Sequence, residues 1–151
     1  MKLAHYLGLL HRADVDLTAA YRDIGDAHRA EPDVFYDCRK LAAQCDRHAE
    51  RLMPFAQRYG EEVDDEPDRL HSDLFQGPRE GGLGLLRDLH DLYLMAAECD
   101  ISWTLVGQAG LGARDTDLLD LVNGCESETA TQLTWLRTRM KQAAPQALVV
   151  T

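Results

Sequence analysis

The stretch GEEVDDEPDRLHSDLFQGPREGG, residues 60–82, decides how this chain folds, because it reads as one long connection between two regions of helical periodicity. It carries eight acidic residues, two arginines, Pro67, Pro78 and the pair Gly81-Gly82. A connection of about twenty residues without regular structure needs a purpose inside one domain. Returning along the whole length of a helical bundle supplies it. The acidic run is read as a solvated crossover, with a surface site for a cation or a basic partner as the sharper alternative.

Upstream, the spacing predicts two helices, over residues 2–28 and 32–59. In the first, Leu3, Leu7, Leu10, Asp14, Leu17, Tyr21 and Ile24 recur every three or four positions. Pro32 suits the first position of the second helix, whose stripe is Phe35, Cys38, Leu41, Cys45, His48, Leu52 and Phe55. Gly60 is a natural stop. Pro54 removes a helical hydrogen bond, so a kink is expected there, or else an end near Met53.

Downstream, a third helix is expected over 83–109, along Leu86, Leu89, Leu92, Ala96, Cys99, Trp103 and Val106. Leu94, Ile101 and Leu105 add a second apolar line, which predicts that this helix is the most buried of all. Gly110 and Gly112 should break it. Asp115 or Thr116 then caps a fourth helix over 116–142, through Leu118, Leu121, Val122, Cys125, Leu133, Leu136 and Met140, with Pro145 beyond its end.

About four residues join the first two helices and about six the last two, so each pair is an antiparallel hairpin. The order short, long, short makes the second and third helices parallel and puts the two tight turns at opposite ends. The expected fold is all-α, an antiparallel four-helix bundle with one long crossover at 60–82, forming a single domain over 1–151.

Composition narrows the function classes. Hydrophobic residues make up 45% of the 151, enough for a continuous core. The formal charge is −10, with no basic patch, so neither nucleic acid nor an anionic membrane is an expected partner. Leu3 to Leu10 follows Lys2 but runs straight into Arg12, Asp14 and Asp16, unlike a secretory leader. The uncharged run Ile101 to Ala113 is too short to cross a bilayer and contains Gln108. A cytoplasmic location is expected. Cys38, Cys45, Cys99 and Cys125 form no CxxC pair and are read as reduced thiols that pack as small hydrophobes.

Levels along the bundle gather a polar layer. Asp14 and Cys45 lie equally far from the first turn, with His48 one helical turn away. Cys99 and Cys125 balance about the last turn, near Glu98, Asp100 and Glu128. Each set stands about thirteen to sixteen residues, or roughly 20–24 Å, from its turn, which is the middle of the bundle. His48 with Asp14 is read first as a buried pair that satisfies both groups and fixes register. Asp14, Cys45, His48, Glu98, Cys125 and Glu128 are the candidate ligands for a metal, zinc being the ion that suits thiolate, imidazole and carboxylate together.

Long helices, short–long–short connections and a single crossover together resemble the ferritin-like superfamily. The resemblance implies a metal site at this level, in which two helices each give a Glu and two each give Glu-x-x-His. Asp14 would stand for the first carboxylate and Cys45-Asp46-Arg47-His48 for the first motif. Glu98 would be the other carboxylate, and Cys125-Glu126-Ser127-Glu128 the second motif. No Glu in the chain has His three residues later, and cysteine replaces both leading glutamates, so a di-iron centre is not expected.

Other chemistry is equally sparse. Gly81-Gly82-Leu83-Gly84 lacks the Lys-Ser/Thr and the strand of a phosphate loop, and no G-x-S-x-G elbow occurs. His5, His11, His71 and His90 form no ligand pair, while His28 closes a helix, where a cation is favoured. Trp103 and Trp135 are read as core or interface aromatics. The expected function is a non-catalytic binding or structural role, as a homo-oligomer or with a protein partner, and with no cofactor. The alternative is a zinc or iron protein using the mid-bundle layer. A small apolar ligand held between helices is a third possibility.

Overall fold

A computed structural model describes residues 2–60 and 75–150 of the chain. It contains α1 (Lys2–Ala27), α2 (Pro32–Arg58), α3 (Gly81–Ala113) and α4 (Thr116–Leu148), with no strand among the described residues. None of these helices is long and apolar enough to cross a membrane. Of the crossover expected at 60–82, residues 61–74 lie outside the described residues, and so does the reading of their acidic run.

Side-chain pairs fix the directions. Tyr6 meets Ser102 and His28 meets Asp88, so α1 and α3 are antiparallel. Arg58 meets Asp115 and Arg139 meets Asp33, so α2 and α4 are antiparallel too. The helices pack in the cyclic order α1, α2, α4, α3, and α2 therefore runs parallel to α3. Both tight turns sit where the spacing argument put them, at opposite ends.

The core runs the length of the bundle. Leu7, Leu10, Leu17, Tyr21 and Ile24 enter it from α1, and Val34, Leu41 and Leu52 from α2. Leu89, Leu92, Trp103 and Val106 come from α3, and Leu118, Val122 and Leu136 from α4. Truncating one such residue to alanine costs about 2–5 kcal/mol, since both transfer energy and contacts are lost. Phe35 and Phe55 are only half-buried, because the inward positions belong to the smaller Val34 and Ala56. Arg29 and Arg39 cover the Phe35 ring and Arg58 covers that of Phe55.

Two helix ends run past expectation, and a third is settled between the alternatives. α3 passes through Gly110 and Gly112 and ends at Arg114, which adopts the left-handed conformation at φ 54°. Gly110 serves packing instead, since a Cβ there would come within 3.2 Å of Leu119 on α4. α4 continues through Pro145 to Leu148, and Ala143 is still buried under it. The proline withholds a donor from the Lys141 carbonyl, and only the last three residues of α4 follow it. α2 likewise continues past Pro54 to Arg58, which disposes of an end at Met53.

Two polar ties hold the bundle's ends. Asp115 caps α4 by accepting from the Leu118 amide at 3.0 Å, a contact worth about 1 kcal/mol. It also receives Tyr59 at 2.6 Å and Arg58 at 3.1 Å, which pins the end of α2 to the α3–α4 turn. At the opposite end Asp88 joins α1 and α3. Arg79, just before α3, donates to Asp88 from both its backbone amide and its guanidinium.

The expectation that a second apolar line makes α3 the most buried helix is corrected at that line. Leu94, Ile101 and Leu105 are 38%, 50% and 49% exposed and share one outward line on the helix. Period alone does not distinguish a second buried face from an exposed one, because both repeat every 3.6 residues.

Candidate functional site

Asp14 lies in the inward line of α1 between Leu10 and Leu17, so its side chain enters the core whatever its polarity. His48 occupies the matching line of α2, one turn beyond Cys45. Cys99 and Trp103 come from α3, while Cys125, Glu128 and Gln132 come from α4. Asp14 and His48 are each 1% exposed. Their layer is the polar interior of the bundle.

His48 stands between two carboxyl groups. Its Nδ1 is 4.0 Å from Asp14 Oδ1, and its Nε2 is 3.6 Å from Glu128 Oε1. Both separations fall outside hydrogen-bonding reach. The edge of the imidazole meets Trp103, with ring centroids 5.8 Å apart at 87°. Both Asp14 oxygens, both His48 nitrogens and Trp103 Nε1 are buried without a hydrogen-bond partner. Among the described residues these are the only such side-chain atoms, and all belong to this one cluster.

The adjacent half of the layer is satisfied. Tyr21 donates to Gln132 Oε1 at 3.0 Å, and the Gln132 amide donates to Gln44 at 3.1 Å. Cys45 Sγ lies 3.5 Å from the amide nitrogen of Gln132. Three helices are thus tied at one level beside the unsatisfied group. Gln132 and Trp103 are the layer members that no ligand motif points to. A polar Gln within the inward line of the fourth helix was the available signal for the first.

Burial disfavours charge on Asp14, His48 and the thiols of this layer. Burial raises the Asp14 pKa well above the usual carboxylate value, partly countered by the nearby Cys99 thiol. Burial lowers that of His48, against the pull of Glu128. Desolvation pushes the Cys125 thiol up to about 12, and Cys45 and Cys99 rise as well. Burial thus favours the protonated thiol, the less nucleophilic form, at all three cysteines.

The sequence-derived ligand set is brought together only in part. Asp14, Cys45, His48, Cys99, Cys125 and Glu128 share the layer. Glu98 is half-buried on α3, and no ion pair joins it to His48 among the described residues. Asp100 faces the α3–α4 seam, where Glu126 accepts from Thr104 and raises the Asp100 pKa after burial has done so. His48 turns its two nitrogens toward different carboxyl groups, so one ion does not reach all three. No group of three or more His, Cys, Asp or Glu side chains among the described residues converges closely enough to hold a metal. The donors do not fit a di-iron centre, because a bridging pair of carboxylates is missing.

Comparison yields no relative: no family model matches the chain, and no curated protein or solved structure matches it significantly. The functional reading therefore rests on the chain's own residues.

Proposed function

We propose that this chain is a non-catalytic bundle of ferritin-like topology that works by binding protein, first of all a second copy of itself. The observation that carries this reading is the outward line on α3. Leu94, Ile101 and Leu105 are exposed there, and the small residues Ala97 and Gly112 share the line. Large and small residues on one face give knobs and hollows that a twofold-related helix fits. The line carries one acid, Glu98, in a chain with 26 acidic residues. Two molecules of charge −10 repel, and a nearly uncharged face is where they approach at least cost. Burying both copies of this face removes apolar surface from water at about 25 cal/mol per Å².

Sedimentation or light scattering tests the reading. A species of twice 16.9 kDa is expected, and Ile101→Glu with Leu105→Glu should return it to the monomer at unchanged helicity. A monomeric wild type at high micromolar concentration would refute self-association.

A second reading is a bound zinc or iron ion, which the unsatisfied atoms of Asp14 and His48 favour. His48 Nε2 and Glu128 Oε1, 3.6 Å apart, would be two of its ligands. Elemental analysis of protein purified without chelator decides it. Metal at well under one equivalent per chain, with no uptake on adding zinc or iron, eliminates this reading.

A further inference from the structure

At the far end of the bundle from the α3–α4 turn, the first turns of α3 and the last turns of α4 leave a groove of about 500 Å³. That volume falls within the range of about 300–1,000 Å³ usual for small-molecule sites. Its walls are almost wholly apolar, formed by Leu83, Leu86, Met140, Ala144 and Leu148. Leu83 and Leu148 are 52% and 65% exposed, so the apolar surface is open to a ligand.

The fixed charges at this groove are all positive. Arg87, Arg137 and Lys141 line it together with His90, and among the described residues no acidic side chain does. In a chain with 26 acidic and 16 basic residues, an apolar slot whose charged neighbours among the described residues are two arginines and a lysine is unusual. Long cationic side chains can lay their stems on apolar surface while keeping the charged head in water. Arg137 is held in place, donating to the Tyr93 hydroxyl at 2.6 Å with its guanidinium over the ring of that tyrosine. From Arg137 to Leu148 the groove follows α4 for about 16 Å at helical rise, which suits an extended alkyl chain.

We propose that this groove binds a single-chain amphiphile with an anionic head group, its alkyl chain lying along Leu83, Met140 and Leu148 and its head against Arg87 and Lys141. A fatty acid and a monoalkyl phosphate share this chemistry. The apolar walls supply affinity, and the cations select the head and reject a cationic amphiphile. The groove adjoins the proposed self-association face near Leu94, whereas Ile101 and Leu105 lie further along α3 and outside it.

Calorimetric titration of the full chain below the micelle concentration tests the proposal, with dodecanoate, dodecyl phosphate, dodecanol and dodecyltrimethylammonium as probes. One equivalent of dodecanoate or dodecyl phosphate should bind, and the stronger of the two names the head. Dodecanol and the cationic probe should bind at least about tenfold more weakly. Arg87→Gln with Lys141→Gln should weaken the anion by about tenfold, each exposed charge contributing a modest share. Ala144→Trp, which fills the slot from a half-buried position, should abolish binding with helicity unchanged. Running the series also on the Ile101→Glu, Leu105→Glu chain separates this site from self-association, and binding there should persist. Equal affinity for dodecanol, binding that survives Ala144→Trp, or binding only to phosphatidylglycerol vesicles would each overturn it, as would no binding at all.

Discussion

His28 and Asp88, sixty residues apart in sequence, meet at 2.7 Å with both side chains buried, and this contact locks the end of α1 onto the start of α3. Asp88 also receives the Arg79 backbone amide at 2.9 Å and its guanidinium at 2.7 Å. A buried carboxylate served by three donors is costly to disturb, because each donor then loses its partner away from water. Asp88→Ala should lower stability by about 3–5 kcal/mol in urea unfolding. His28→Ala should lower it by about 1.5–3 kcal/mol, since Arg79 still holds the carboxylate. A loss below about 0.5 kcal/mol for Asp88→Ala would show that the tie is not formed in solution.

Two helical glycines should respond in opposite directions to the same change. At Gly25 a Cβ would stand 2.9 Å from Cys38 Cβ, an atom next to the α2 backbone that cannot swing aside. Gly25→Ala should therefore destabilise by about 1–3 kcal/mol, overriding its better helix propensity. Gly124 sits in the interior of α4 with no atom within 4 Å of a Cβ. Gly124→Ala should stabilise by about 0.5–1 kcal/mol, through the backbone entropy that glycine loses on folding. Thermal or urea unfolding of the two variants side by side checks both signs.

Which parts of this molecule could be read from its sequence follows from what each signal measures. Equal distances from a turn fix height in a bundle, so Asp14, Cys45 and His48 were placed together correctly. Height says nothing about rotation, which is why Glu98 and Asp100 were grouped with them although Asp100 faces the α3–α4 seam. Asp88 lies in the inward line of α3 between Leu85 and Leu92, the same signal that singled out Asp14, yet its partner came from a helix end. Glycine and proline were read as stops at Gly110, Gly112 and Pro145, but their context decides. Gly110 lies close against Leu119 of α4, and α4 carries on for three residues past Pro145. The apolar groove between α3 and α4 was illegible, because it depends on how two helix surfaces leave a gap.

The buried polar layer makes stability depend on pH in a defined direction. Asp14 has a raised pKa in the folded chain, so the folded state holds its proton to higher pH than the unfolded state does. The ionisation penalty of its burial is therefore absent below the usual carboxylate pKa of about 4, and stability falls as pH rises above it. His48 has a lowered pKa, so stability falls as pH drops below the usual value of about 6.5. Asp14→Asn removes the first penalty. It should be more stable than wild type at pH 8 and converge with it toward pH 4. Urea titrations across that range test this, and a constant difference between the two chains would contradict it. His48→Gln should flatten the loss of stability below about pH 6.5 in the same experiment.

The four thiols offer a direct measure of how often the interior opens. All are free and buried. Burial pushes Cys38 and Cys125 up to about 12 and raises Cys45 and Cys99 too. Only a thiolate attacks a disulfide reagent, and an ordinary cysteine has a pKa of about 8.5. At pH 8 the folded chain should thus react with an aromatic disulfide far more slowly than an unfolded one. Adding urea should release all four thiols at once if the bundle opens as a unit. A helix that detaches first would instead release its own cysteines early: Cys125 for α4, Cys99 for α3, or Cys38 with Cys45 for α2. Because Asp88, His28 and Arg79 tie α1 to α3, Cys99 should be the last to react in any such sequence, and a fast-reacting Cys99 in the native chain would break that argument.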